Sequence, residues 1–369
     1  IYTNRVFRDT SAWYHIVVAI DTTSGTADNR IRVYVNGVEE TSFGTRNNPS
    51  QNDVMGTNFG KQAIGYNTID NGSGFNGYMC EVVIQDGVAS APTEFGEFDS
   101  ASGIWIPKNA AGATMGTNGS YLKFENAASM GAATAGNAFT VQNINQVDQA
   151  TDTCTNNFCT WNSLWAYAYP LTLTQGATLL EGSQNQRQGV KALFGLQNGR
   201  WYWEVKAGTA ADTGFFGIQT DGEDNISSGN AQTQDSTYCR KTDGSDIFTV
   251  GGSESTSSHG GGNMSNDDIL GIFLDLESST KTLRWFRNGS SYGSTINLAS
   301  VSTSFTTREV FPSMYGSATT NQYNFGGYRT YTISSAVSDS NGHGTFEFTP
   351  NDGTYDYYSI NTKNLAEFG

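Results

Sequence analysis

Glu94, Glu97 and Asp99 stand within six residues of one another in this 369-residue chain. Two carboxylates on one strand face are what glycoside hydrolysis uses, about 5–5.5 Å apart when configuration is retained. Glu97 and Asp99 share a face by the period of two, whereas Glu94 falls on the other. The next same-face positions, Ala101 and Gly103, bring no further carboxylate. A solvated acidic stretch beside Pro92 is the expectation, and a glycanase centre is not. The three histidines do not cluster. His259 sits in the Gly- and Ser-rich run 257–262, His343 stands alone, and His15 lies in an apolar run as an edge or core side chain. There is no Gly-x-Ser-x-Gly elbow, and no two Cys or His pairs have zinc spacing. Cys154 and Cys159 could pair, but five residues of separation in a loop do not fix disulfide geometry.

Binding chemistry has better candidates. Sugars stack their apolar faces on exposed aromatic rings while polar neighbours meet the hydroxyls. Tyr238, with Arg240 and Asp243 close by, falls in a stretch that reads as a long loop between strands. Trp161, Trp165, Tyr167 and Tyr169 form a second aromatic run, with packing against a sandwich as the competing role. Trp201, Trp203, Trp285 and Phe286 read as core.

The elements that position these residues are strands. Gly is abundant (43 residues), Pro scarce (6) and charged residues only 15 %, a composition suited to strands and turns. No window keeps helical periodicity over three turns. Residues 13–21 form an apolar β-branched run, and 30–38 alternate strictly before Asn36-Gly37, a strong two-residue hairpin signal. Ile31, Val33 and Val35 are expected to face the core, with Arg30, Arg32 and Tyr34 outward. Residues 63–65 and 74–84 read as further strands. The second half is organised around 199–205, 214–218, 268–275 and 282–289, where Trp201 and Trp203 share one strand face. Pro92 and Pro107 mark borders of regular structure.

The expected fold class is all-β: two antiparallel β-sandwich domains of jelly-roll type joined by an irregular connector. The boundaries are 1–98, N-terminally incomplete, then connector 99–157, sandwich 158–350 and tail 351–369. Thirty-five acidic against twenty basic residues give −15, which argues against phosphate-backbone binding; no nucleic-acid partner is expected. The apolar runs are too short for a membrane helix, so no membrane insertion is expected.

Residues 13–17, 32–37 and 75–82 resemble the second half of a laminin G-like, concanavalin A-like jelly roll. The earlier strands of that family are not visible, which implies a fragment or a sheet completed by a neighbouring chain. The resemblance also implies calcium, for which Asp221, Glu223 and Asp224 are candidates although no EF-hand template fits; otherwise no cofactor is expected. Residues 199–205, 214–218, 268–275, 282–289 and 311–314 resemble, in order, the strands of a SPRY domain, a bent sandwich that binds partners through loops at one edge. Glu94 to Lys108, Thr151 to Phe158 and Tyr357 to Gly369 resemble virion appendage proteins of marine bacteriophages. That resemblance implies a non-enzymatic virion structural protein, a tail or head fibre, spike or decoration with adhesion-type domains. Its implied partners are other virion proteins, further copies in a homo-oligomer such as a trimer, and a host-surface glycan or protein, at the virion surface or outside the cell. The alternatives are a secreted bacterial adhesin or surface-layer protein and, behind it, a carbohydrate-active enzyme.

Overall fold

The computed structural model describes the chain apart from residues 9–11, 56–61, 68–73, 76, 101–102, 127, 145–148, 154, 167–171, 182–187, 209–213, 221–235, 252, 259, 317–319, 328–329, 351–352 and 354. The side chains of 164–166, 188 and 315–316 are likewise outside the description. Two compact units form, one from Ile1–Gln146 and Thr153–Thr155, the other from Val147–Asp152 and Asn156–Gly369.

In the first unit, strand β1 (Tyr2–Thr3) precedes β2 (Ile16–Ile20), β3 (Ile31–Val35), β4 (Val38–Glu39) and β5 (Phe43–Thr45). β2, β3 and β4 make one antiparallel sheet, and β1 pairs with β5. The β3–β4 turn is Asn36-Gly37, with φ of 48° and 77°, the twist a two-residue hairpin requires. The face assignment differs from expectation. Val17, Ala19 and Tyr34 are the buried set, packed with Phe95. Of the expected core residues Val35 is buried, while Ile31 and Val33 are half-buried. Alternation separates two faces without saying how far each is covered, and here Tyr34 and Phe95 fill one side while Val35 is buried on the other.

The expected strands at 63–65 and 74–84 reduce to a single bridge, Tyr66 with Gly74, and to β6 (Val82–Ile84). The stretch expected as a connector is structured. After β7 (Gly96–Phe98) come β8 (Trp105–Pro107), β9 (Ser120–Leu122) and β10 (Ala135–Gly136). β9 lies between β6 and β10, and Ala110, Met115 and Tyr121 form a small buried cluster beside it.

The second unit is a sandwich of two large antiparallel sheets. Its strands begin with β11 (Trp161–Ala166), β12 (Thr172–Thr174), β13 (Leu179–Glu181), β14 (Gln188–Ala192), β15 (Arg200–Ala207) and β16 (Gly214–Thr220). They continue with β17 (Ser236–Lys241), β18 (Ser245–Val250), β19 (Ser253–Ser258), β20 (Ile269–Asp275), β21 (Thr282–Arg287), β22 (Ser290–Ser291) and β23 (Ile296–Asn297). Short helices α1 (Leu298–Val301) and α2 (Ser304–Thr307) lead into β24 (Val310–Gly316) and β25 (Thr320–Asn324). β26 (Val337–Ser338) and β27 (Thr345–Phe346) form a two-stranded ribbon before α3 (Thr362–Phe368).

One sheet runs β11-β14-β24-β16-β17-β18-β19 and the other β12-β13-β25-β15-β20-β21-β22. Trp201, Trp203 and Val205 of β15 face inward with Leu270, Ile272, Leu274 and Trp285, against Phe216, Ile218 and Met314 of the opposite sheet. The period of two sends Tyr202 and Glu204 to the outer face. There Tyr202, Phe273 and Phe286 pack with Phe346 and Tyr357 from the C-terminal segment. Gly271 is held to glycine by that layer, since a Cβ would overlap the Tyr202 hydroxyl and ring. Gly271→Ala should therefore cost about 1–3 kcal/mol of stability, read as a lowered denaturation midpoint for the second unit.

The tail is integral to this unit. Ile360 is in the main core and Phe368 packs on it, with the Tyr358 and Phe368 rings stacked at 3.7 Å. Asp339 anchors it: its carboxylate accepts from the Ser359 amide (2.9 Å), the Ser359 hydroxyl and Asn364 Nδ2 (2.9 Å).

Candidate functional site

The residues expected on a loop at 236–243 lie largely on a strand. Tyr238 and Arg240 belong to β17 and pair with Ile218 and Phe216, so both side chains point into the sandwich. Arg240 is fully buried and grips Asp246 with Nε and Nη2, at 2.7 and 3.1 Å. Its Nη1 donates to the Tyr292 carbonyl at 2.7 Å and the Gly260 carbonyl at 3.1 Å. The guanidinium lies 4.7 Å from the Trp285 ring centre and 5.0 Å from that of Tyr292. Tyr238 donates to Asp246 Oδ2 at 2.7 Å and stacks on Phe248. Burial first, and the Asp246 charge second, push its phenol well above the usual range. A ring enclosed in this way has no face for a sugar. Tyr238, Arg240 and Asp246 thus form a closed structural cluster, because the polar composition of 236–241 hides a strand whose inward residues share Asp246 of β18.

What the cluster positions is a loop. Gly260, Gly261 and Gly262 have φ of 82°, 110° and 72°, a left-handed course that side chains oppose. Their carbonyls are fastened by Arg240 at Gly260 and by the Tyr292 hydroxyl at Gly262, while Arg287 holds the Asn263 carbonyl at 2.7 Å. Asp243 stands in the adjoining turn, accepting from Lys241 Nζ at 2.7 Å and the Ser245 amide at 2.8 Å. Burial raises its carboxyl, but the bonds from Lys241 and Ser245 together outweigh it and hold the group below the usual range. Among the Tyr238, Arg240 and Asp243 candidates, Asp243 alone reaches solvent.

Trp161 is buried, edge-on to Tyr323 at 4.6 Å and Phe325 at 5.4 Å, so it is core. Trp165 lies in β11 with its side chain outside the description; Tyr167, Tyr169, Asp221, Glu223, Asp224 and Cys154 lie outside the described residues. Cys159 is a buried free thiol whose pKa burial pushes up to about 12. Among the described residues no three His, Cys, Asp or Glu side chains group as a metal would need, and no helix is long and apolar enough to cross a membrane. Asp268, in another acidic turn, accepts from the Ser265 amide and Asn288 Nδ2 at 2.7 Å each, which is turn chemistry.

Among the described residues, the exposed aromatics lie in the first unit apart from Tyr355, whose ring is held between Arg200 and Arg284. Phe75 is 57 % exposed, and Tyr66 and Tyr78 are exposed beside it in sequence. The Tyr66–Gly74 bridge and the Phe75 amide bond to the Gly65 carbonyl (2.8 Å) hold the two arms of this loop together. Phe75 lies against Gly77, where a Cβ would stand 3.0 Å from the ring. The glycines at 65 and 77 were the sequence signal for a platform rather than a strand, since both have φ above zero. The carboxylates weighed for catalysis are elsewhere and open: Glu97 is exposed and 3.8 Å from Lys108, an arrangement worth little in water. His15 accepts from Trp105 Nε1 at 3.0 Å, and burial lowers its pKa.

Residues 2–93 match the concanavalin A-like lectin/glucanases superfamily. That match includes Tyr66, Phe75 and Tyr78 and covers the earlier part of the unit that carries them. The chain is also similar in structure to the SPRY domain of human HERC1, over 47 % of this chain and 99 % of that one, at 12 % identity and a TM-score of 0.33. It is similar to the TRIM65 PSpry domain over 45 % and 88 % of the two chains, at 13 % identity and a TM-score of 0.32. No curated protein matches the chain.

Proposed function

We propose that this chain is a non-enzymatic structural protein of a bacteriophage particle, a fibre, spike or decoration that meets host-surface glycan through its first unit. The observation that carries the glycan reading is the loop bearing Tyr66, Phe75 and Tyr78, exposed together within the segment that matches a lectin-containing superfamily. A sugar ring stacks on such a face and leaves its hydroxyls to polar neighbours and water. The second unit supports an architectural role, because Trp161, Tyr238 and Arg240, its described binding candidates, are buried inside the sandwich. The non-enzymatic reading is supported by Glu97, whose carboxylate stands exposed with Lys108 as its neighbour. Placement on a phage particle rests on the likeness of residues 94–108, 151–158 and 357–369 to virion appendage proteins. The remaining partners in this reading are other virion proteins and further copies of the chain.

The test is a glycan array and host-cell binding with the purified chain, alongside mass spectrometry of purified virions. Phe75→Ala should weaken glycan binding by about tenfold, which is the loss of roughly 1.4 kcal/mol, with the melting temperature unchanged. Release of reducing ends from a bound glycan would overturn the non-enzymatic reading, and unchanged binding by the variant would overturn the site.

A further inference from the structure

Trp105 joins two hairpins of the first unit. It pairs with Phe98 across β7 and β8, and the Phe98 ring meets it edge-on at 5.0 Å. The indole rests on two glycines. A Cβ at Gly37, in the β3–β4 turn, would stand 2.2 Å from its Cζ3, and one at Gly96, in β7, 2.5 Å from its Nε1. That Nε1 donates to His15 Nδ1 at 3.0 Å. His15 is itself tied to the turn: its amide donates to Asn36 Oδ1, and its carbonyl accepts from the Asn36 amide, each at 2.8 Å.

An indole N–H can only donate, so Nδ1 must accept and the neutral imidazole carries its proton on Nε2. A second proton, on Nδ1, would set donor against donor along the same 3.0 Å line. The bond cannot survive it. We propose that the His15–Trp105 bond is an acid-released clasp, in which a proton taken up by His15 Nδ1 frees the β7–β8 hairpin from the Asn36-Gly37 turn.

Burial lowers the His15 pKa, and no charged group adds to that effect or offsets it. The charged residues of the elements around the ring are Glu39 on β4 and Glu97, Asp99 and Lys108 on or beside the hairpin. Glu97 lies 3.8 Å from Lys108, and Glu40, after β4, is paired with Arg5. A depressed imidazole supports the closed hairpin fully above its released pKa, about 6.5, and that support is lost as pH falls through the folded value. Opening is confined to the hairpin, because Phe95 at its base keeps its packing on Val17, Ala19 and Tyr34. Release adds Trp105 to Phe98 and Ile104, already 55 % and 63 % exposed, so the acid form displays a largely apolar arm. This inference is independent of glycan binding.

The experiment is amide hydrogen exchange of residues 96–107 in the full chain from pH 7.5 to 5.5, corrected for the intrinsic pH dependence of exchange. Protection should fall about tenfold per pH unit below 6.5. His15→Asn, whose Oδ1 accepts but takes up no proton, should make protection independent of pH. Trp105→Phe, which removes the donor, should leave it equally flat and lower. His343→Asn should keep the native slope. Asp152, whose carboxyl burial pushes up to about 6, titrates in the same window, but it belongs to the second unit and would act alike in native chain and variants. Protection that is flat in the native chain overturns the proposal, and so does a slope that persists in either His15→Asn or Trp105→Phe.

Discussion

Arg240→Met should be among the most damaging single changes in the second unit, lowering its stability by about 3–5 kcal/mol in denaturant unfolding. The reason is the state of Asp246 once its partner is removed. Both side chains are fully buried, and the carboxylate would lose both guanidinium bonds while the Tyr238 hydroxyl stays. A stranded buried charge costs far more than the net worth of the pair it came from. The effect should also be local. Losing Arg240 releases the Gly260 carbonyl and one side of Tyr292, so amide exchange in 260–264 should rise before the sandwich unfolds. The double variant Arg240→Met with Asp246→Leu should recover part of the loss. If it is as unstable as the single change, the damage lies in packing around Trp285 rather than in the orphaned carboxylate.

Glu204→Gln should be the second, at about 1–3 kcal/mol, with a dependence on pH. Glu204 is buried on the outer face of β15 and joins the sandwich to the C-terminal segment. One carboxylate oxygen accepts from the Phe348 amide (2.8 Å) and the Tyr202 hydroxyl (3.2 Å), the other from the Glu347 amide (2.9 Å) and the Tyr331 hydroxyl (2.8 Å). Each oxygen meets a backbone N–H, so either orientation of a glutamine sets its NH2 against a donor. Burial raises the Glu204 carboxyl above the usual carboxylate range, against the downward pull of these four bonds. The sign follows from linkage. A carboxyl whose pKa is higher folded than unfolded contributes most below the unfolded value, about 4.3, and that contribution is lost as pH rises through the folded value. The native chain should therefore lead the glutamine variant by the widest margin in acid, and the gap should narrow toward neutral pH. Parallel thermal melts across that range measure it, and a gap that widens with pH would be incompatible with a raised Glu204.

The C-terminal sandwich was legible because its strands carry strong local signals. Trp201 and Trp203 on one face, the alternation through 269–275 and the Asn288-Gly289 turn are each set by neighbours two residues away. The meander β17-β18-β19 was not legible. Its last strand, Ser253–Ser258, has no apolar residue, and nothing local marks Arg240 as inward, because its partners Asp246, Gly260 and Tyr292 come from three other segments. The candidate site moved for the same reason. Tyr238 and Phe75 are both aromatic residues in polar surroundings, and their burial is opposite.

Sequence alone determined that this chain is built of antiparallel strands, which residues alternate, and where the Asn-Gly turn falls. These properties depend on backbone preference and on the period of the strand. Tertiary structure decided which of two alternating faces is covered. In β3 it buried Tyr34 on one face and Val35 on the other, and in β17 it enclosed an arginine with its aspartate. Coverage is a relation between segments distant in the chain, so no window of the sequence contains it.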